Sequence, residues 1–336
     1  MTKDSHSMKP LYAKLKEQGF NPTYVKTLLP DWWDDKIASS PSGYQQAGLR
    51  LAKLFGVQPS SLLNTADELK FLVGERRFKR SSNTDEVDLH QACALASTAA
   101  KLALKGFDRP TPSNWPSALE IRKALLDRGL PWIDFRSLLD FCWELGVPVV
   151  FLSHLPRGAK KMQGLALSVG NRPAIVLTSN KKNGFLVFDL AHELGHIALG
   201  HVAANSLFID ETIDSKSADE DERAANRFAL EVLTGEPDCK VQSSKTRYIT
   251  QGVLADAAMD LGRKHQIDPL HVALNYGHSA KSFATGVAAV NLISLQMALP
   301  TDQSACREAA LRYLDADALG DEEAEVFRKL IGVSDV

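Results

Sequence analysis

Long apolar runs are missing from this chain. Its apolar runs, such as Val149–Leu152 and Ala174–Leu177, fall far short of the roughly 20 residues a membrane-spanning helix needs. The opening stretch MTKDSHSMKP lacks the apolar centre of a secretory signal. A cytoplasmic location without a membrane partner is therefore expected. Cysteine is scarce: Cys93, Cys142, Cys239 and Cys306 are scattered with no CxxC pair, which argues against a disulfide framework and against a cysteine zinc site. Reduced and mostly buried thiols are expected instead. No internal repeat or low-complexity tract occurs. Net charge is only -2, but it is uneven, with 15 Lys/Arg against 11 Asp/Glu in residues 1–107 and 24 against 30 in the remainder. The mildly basic front permits contact with DNA without requiring it.

What is present is enough for a sizeable fold. A chain of 336 residues, 44% hydrophobic and 24% charged, can bury one full core and a smaller one. Three prolines in DRPTPSNWPS forbid regular helix or central strand there, so residues 108–117 are expected to be a linker. Ahead of it, residues 1–107 read as a helical N-terminal domain, with LYAKLKEQG, YQQAGLRLAKLFG and QACALASTAAKLALKG each ended by a glycine. Behind it, ALEIRKALLDRG and FRSLLDFCWELG read as helices, and VPVVFL, GLALSVG and RPAIVLTS as short strands. AsnGly at 183–184 then precedes FLVFDLAHELGHIALG. The expected class is α+β, a small sheet of about three strands packed with this helix. Residues 118–280 form the central domain in this reading, and 281–336 a C-terminal helical region.

The segment FDLAHELGHIALGH carries the chemistry. Each helical residue advances by about 100°, so His192 and His196 share a face and can bind one ion. Glu193 beside them completes HExxH, in which two imidazoles hold zinc and the carboxylate acts as general base on water. Two histidines and a carboxylate inside an apolar helix are costly to bury without such a partner. On a continuous helix His201 points roughly 180° and 140° away from the pair, so it is expected to be exposed or to cap the helix near Gly200.

A catalytic zinc site keeps three protein ligands and one open position. The best third candidate is Glu222, which shares a helical stripe with Ala225, Ala229 and Leu233. Glu220 and Asp221 fall off the stripe and read as solvated charges favoured by the helix dipole. Asn226, one turn on, either orients Glu222 or serves as a polar cap between helices.

These residues resemble the ImmA/IrrE family of metallopeptidases. The family pattern is matched by FDLAHELGH, 188–196, and ERAANRFA, 222–229, after GVPVVFL and PAIVLTS, with the likeness extending over about residues 118–280. The resemblance implies Zn2+ on His192, His196 and Glu222, with Glu193 as catalytic base. Gly195 also stands in the family position, where a missing side chain allows close packing beside the ligands. It implies further a protein substrate, a DNA-binding repressor in a stress, mobile-element or phage-response circuit. GLRLAKLFGVQPSSLL resembles the closing helices of an XRE-type helix-turn-helix, while LLPDWWDD departs from that pattern. DNA binding and a helical docking scaffold both stay open for the front of the chain. The cluster ERRFKR, 75–80, reads as a phosphate contact or, more simply, a solvated helix end.

Two other functions share this motif. One is a non-catalytic regulator, stabilised by zinc and binding DNA or protein; the other is a zinc hydrolase of small amides. A second oxyanion donor is expected beside the metal, with His271, Tyr276 and His278 as candidates that equally suit packing or surface roles.

Overall fold

The computed structural model describes residues 7–64, 66–72, 76–78, 86–156, 163–202, 204, 207–210, 220–243 and 249–333. Its first helices start where local chemistry allows them. After α1 (Met8–Glu17), Asn21 caps α2 (Pro22–Leu28) and Ser40 caps α3 (Pro41–Leu54), each with proline in the first turn, where its missing N–H costs nothing. A turn with Gly56 at φ +59° joins α3 to the short α4 (Pro59–Leu63). The resembling stretch GLRLAKLFGVQPSSLL lies on this helix pair. Lys14, buried on α1, donates to the carbonyls of Ser61, Asn64 and Asp67, which satisfies acceptors at the end of α4.

Within ERRFKR, residues 76–78 form a strand, β1 (Arg76–Phe78), so the expected helix end is corrected there. Residues 75, 79 and 80 lie outside the described residues. The alanine-rich α5 (Glu86–Lys105) follows, its small side chains buried from Ala92 to Ala103. A reciprocal Ser117–Glu120 capping box opens α6 (Ala118–Leu126), and Asp134 with Ser137 opens α7 (Phe135–Glu144). Such boxes satisfy orphan N–H groups at both ends of one contact.

The sheet strands are β2 (Val149–Phe151), β3 (Gly164–Val169), β4 (Arg172–Leu177) and, beyond α8 (Phe185–Ala198), β5 (Leu207–Asp210). Their spatial order is β1-β5-β3-β4-β2. The class is α+β, as expected, and among the described residues the sheet has five strands, three of them legible in the pattern. β3 pairs antiparallel with both β4 and β5, while β2 joins β4, and β1 joins β5, in parallel. Nearly every residue of β3 and β4 is buried on both faces, with α5 and α8 among the helices packed on them. That is the pattern of a covered sheet rather than an alternating, half-wet one.

After α9 (Glu220–Thr234), three helices, α10 (Gln251–His265), α11 (Pro269–Ser279) and α12 (Phe283–Gln296), close a small second core around Leu254, Ala258, Ala273, Val290 and Ile293. Buried Arg122 of α6 ties this bundle to α9, donating to the carbonyls of Val232, Leu233, His265 and Gln266. The last helices, α13 (Asp302–Tyr313), α14 (Ala316–Leu319) and α15 (Asp321–Ile331), return to the main core. That core runs from Met8 to Ile331 and across the 108–117 segment. Arg172 of β4 reaches over it to the carbonyls of Leu104 and Phe107. Basic side chains at the front are paired with acids of the back: Arg50 with Glu322, and Lys53 and Lys105 with Glu323. The four cysteines are free, and Cys93, Cys142 and Cys306 are buried. Among the described residues no helix is long and apolar enough to cross a membrane.

Candidate metal centre

The helix α8 is apolar on nearly every side and buried from Leu186 to Ile197 save Phe188. It begins at Gly184, whose φ of +86° suits glycine. A Cβ there would meet that of Leu270 at 2.6 Å. Against α8 lies α9, whose Ala225 and Ala229 are fully buried. Gly195 brings the two together: a Cβ built on it would stand 3.0 Å from Cδ1 of Phe228. The expected close packing beside the ligands is present, with a phenyl ring as the neighbour.

This crossing gathers His192, His196 and Glu222, whose ligand atoms all lie within 4.8 Å of one another. The two Nε2 atoms are 3.0 Å apart, and they stand 3.4 Å and 3.6 Å from the Glu222 carboxylate. Zinc with bonds of about 2.0–2.1 Å in a tetrahedral site separates its ligands by about 3.3 Å. The three observed edges bracket that value, and all three side chains are at most 3% exposed. Burial, with lesser contributions from His192 and His201, pushes the His196 imidazole down to about 2. The ring is therefore neutral at physiological pH, the state in which imidazole binds metals. The residues fit a small divalent cation.

Glu193 is 1% exposed and lies under the first residue of β3. A Cβ on Gly164 would fall 2.5 Å from Glu193 Oε1 and 2.7 Å from its Cγ. The carboxylate thus occupies the space that any other residue at 164 would fill. Pattern reading passed over Gly164, although a lone glycine in a strand is a sign of close approach. Since β5 pairs along β3 from Gly164 to Leu167, the strand over Glu193 is not a sheet edge.

His201 stands at the helix cap near Gly200, one of the two places expected, but its ring departs from the expected direction. The helix ends at Ala198 with Leu199 as its C-cap, and Gly200 turns the chain at φ +75°. The N–H of Gly200 then bonds to Ile197 O and that of His201 to His196 O, the Schellman arrangement. Extrapolating the helix placed His201 on the far side; the left-handed glycine folds it back. Its Nδ1 lies 2.9 Å from Nδ1 of His196, and its Nε2 lies 3.6 Å from Asp221.

Other expected partners fall elsewhere. The buried Oδ1 of Asn226 meets no hydrogen-bond donor among the described residues. His271 is buried and stacks on Phe188 at 6.2 Å between centroids, and Phe188 stacks in turn on His192 at 6.3 Å. His271 is thus one ring removed from the ligands, and burial pushes its imidazole down to about 4. His278 is exposed against Phe283, and Tyr276 packs on the second core. Asp189, one turn before His192, is buried and held by Lys181 at 2.9 Å and 3.1 Å. Burial still raises its carboxyl above the usual range, against the pull of Lys181.

Residues 142–257 match the family profile described as peptidase M78, IrrE N-terminal-like domain. No curated protein and no solved structure matches the chain. The matched stretch holds β2 to β5, both crossing helices and all three clustered donors. The likeness to the IrrE N-terminal-like domain of peptidase M78 thus covers the residues that build the candidate metal centre.

Proposed function

We propose that this protein is a zinc-dependent endopeptidase that hydrolyses a peptide bond in a regulatory protein, with a DNA-binding repressor as the substrate class. What carries the reading is the closeness of His192, His196 and Glu222 with Glu193 on the same buried helix, inside a metallopeptidase-like domain. His192 and His196 offer Nε2 atoms, and Glu222 offers the carboxylate oxygen that completes a three-ligand set. Zinc bound there supplies a Lewis acid that activates water and polarises the scissile carbonyl. Glu193 takes the proton from the attacking water and returns it to the leaving amine as the C–N bond breaks. The buried ligands and base put that proton transfer in a medium that strengthens each charge interaction. Because β5 covers β3 beside Glu193, a substrate does not gain its register by pairing with that strand.

The test combines metal content with cleavage. Wild type is expected to retain about one zinc per chain after dialysis against a weak chelator, and Glu222→Ala to lose it. Glu193→Gln is expected to keep the metal and lose cleavage of a co-expressed repressor by about 100-fold to 10,000-fold. Full regulatory activity in Glu193→Gln, with the metal kept and no repressor cleaved, removes the endopeptidase reading and leaves a zinc-stabilised regulator; undiminished cleavage removes Glu193 as the base.

A further inference from the structure

We infer that His201 and Asp221 are positioning residues for the metal ligand His196, forming a chain Asp221–His201–His196 that fixes the tautomer and orientation of that imidazole. This rests on the metallopeptidase reading above and goes beyond its ligand set.

The geometry sets the order of protons. His196 turns Nε2 toward His192 and Glu222, at 3.0 Å and 3.6 Å, so in a metal complex its Nε2 lone pair is committed. A neutral imidazole has one remaining N–H, which must sit on Nδ1. Among the described residues an acceptor stands at that atom: Nδ1 of His201, 2.9 Å away. Accepting there leaves the single proton of His201 on Nε2, and that atom faces Oδ1 of Asp221 at 3.6 Å, near enough for the carboxylate to favour the proton on that nitrogen. Each ring therefore accepts at one nitrogen and carries its proton at the other. Metal-bound histidines commonly donate their second N–H to a carboxylate or carbonyl; here a histidine stands between.

The fold builds the arrangement from both helices of the site. Gly200, at φ +75°, reverses the chain so that the His201 ring returns to α8. Its side chain is 12% exposed, too buried for an incidental surface imidazole. Asp221 comes from the first turn of α9, immediately before the ligand Glu222. The chain thus joins the end of the first ligand helix to the start of the second.

The experiment measures Zn2+ and Co2+ affinity by chelator competition, and the visible spectrum of the Co2+ form. It compares full-length wild type, His201→Ala, His201→Asn, Asp221→Asn and Glu222→Ala, alongside thermal unfolding of the metal-free proteins. His201→Ala is expected to bind about 10-fold to 100-fold more weakly and to shift the Co2+ spectrum, with metal-free unfolding close to wild type. His201→Asn, whose Oδ1 can take the place of Nδ1 as acceptor, is expected to recover most of that loss. Asp221→Asn should show a smaller loss in the same direction. If Glu222→Ala loses the metal while His201→Ala binds as tightly as wild type with an unchanged spectrum, the positioning role is overturned and the metal centre stands. If wild type itself binds neither ion, both fall together.

Discussion

At the scale of single residues, the site depends on an absence as much as on its ligands. Glu193 fits because Gly164 carries no side chain, the space for one being 2.5 Å from its carboxylate oxygen. Gly164→Ala is expected to cost about 1–3 kcal/mol of stability through overpacking, read by denaturant unfolding. In a Glu193→Ala background the same change should cost much less, because the competing carboxylate is gone. Equal costs in both backgrounds would mean the glycine serves something other than Glu193. This pair also marks where the sequence stops being readable. His192, Glu193, His196 and Glu222 are legible because helical spacing places side chains within one element or along one stripe. Gly164 meets Glu193 only through tertiary packing, which spacing does not encode. His201 eluded the same rule for another reason: a helical wheel assumes the helix continues, and Gly200 ends it one residue earlier.

At the scale of elements, the start of α8 is held by a buried acid from a distant helix. Asp302, in the first turn of α13, accepts the N–H of Gly184 at 3.1 Å. Burial raises its carboxyl to about 7, and neighbouring Asp134 and Asp189 add to the rise. Below about pH 4 this group is protonated in both folded and unfolded chains. Between about pH 4 and 7 the folded chain holds the proton that the unfolded chain has released, so stability falls as pH rises through that window. Asp302→Asn keeps an acceptor and cannot ionise. Its unfolding free energy should match wild type near pH 4 and exceed it by about 1–4 kcal/mol at pH 8. A constant difference across pH would exclude Asp302 as the cause. Asp268, raised by burial to about 8, adds a slope of the same sign in both proteins. Among the elements, the helices and the strands β2 to β4 follow from apolar runs and caps. The strands β1 and β5 do not: RRF and LFID are short, and what makes them strands is pairing with partners far along the chain.

At the scale of the whole molecule, the front, centre and back of the chain share one core. Phe107, Trp143 and Tyr313 make an aromatic cluster across it, with Trp143 stacked on Tyr313 at 5.1 Å and edge-on to Phe107 at 4.8 Å. Phe327, Leu330 and Ile331 close the far end, and Leu330 O accepts from Ser153 N beyond β2. A chain stopped after Pro300 would leave this surface open. It is expected to lose the cooperative thermal transition of the full chain and to bind a hydrophobic dye, even though every metal-centre residue is retained. A sharp transition within a few degrees of the full chain would show that the last three helices are dispensable.

That shared core has a consequence for synthesis. When Glu222 has left the ribosome, all the candidate ligands exist, yet the helices that cover β2 and α7 have not been made. At roughly 5–20 residues per second, Ile331 follows about 5–20 s later. For that interval the nascent chain carries the whole candidate ligand set on an unfinished body, and any metal binding there is separated in time from core closure.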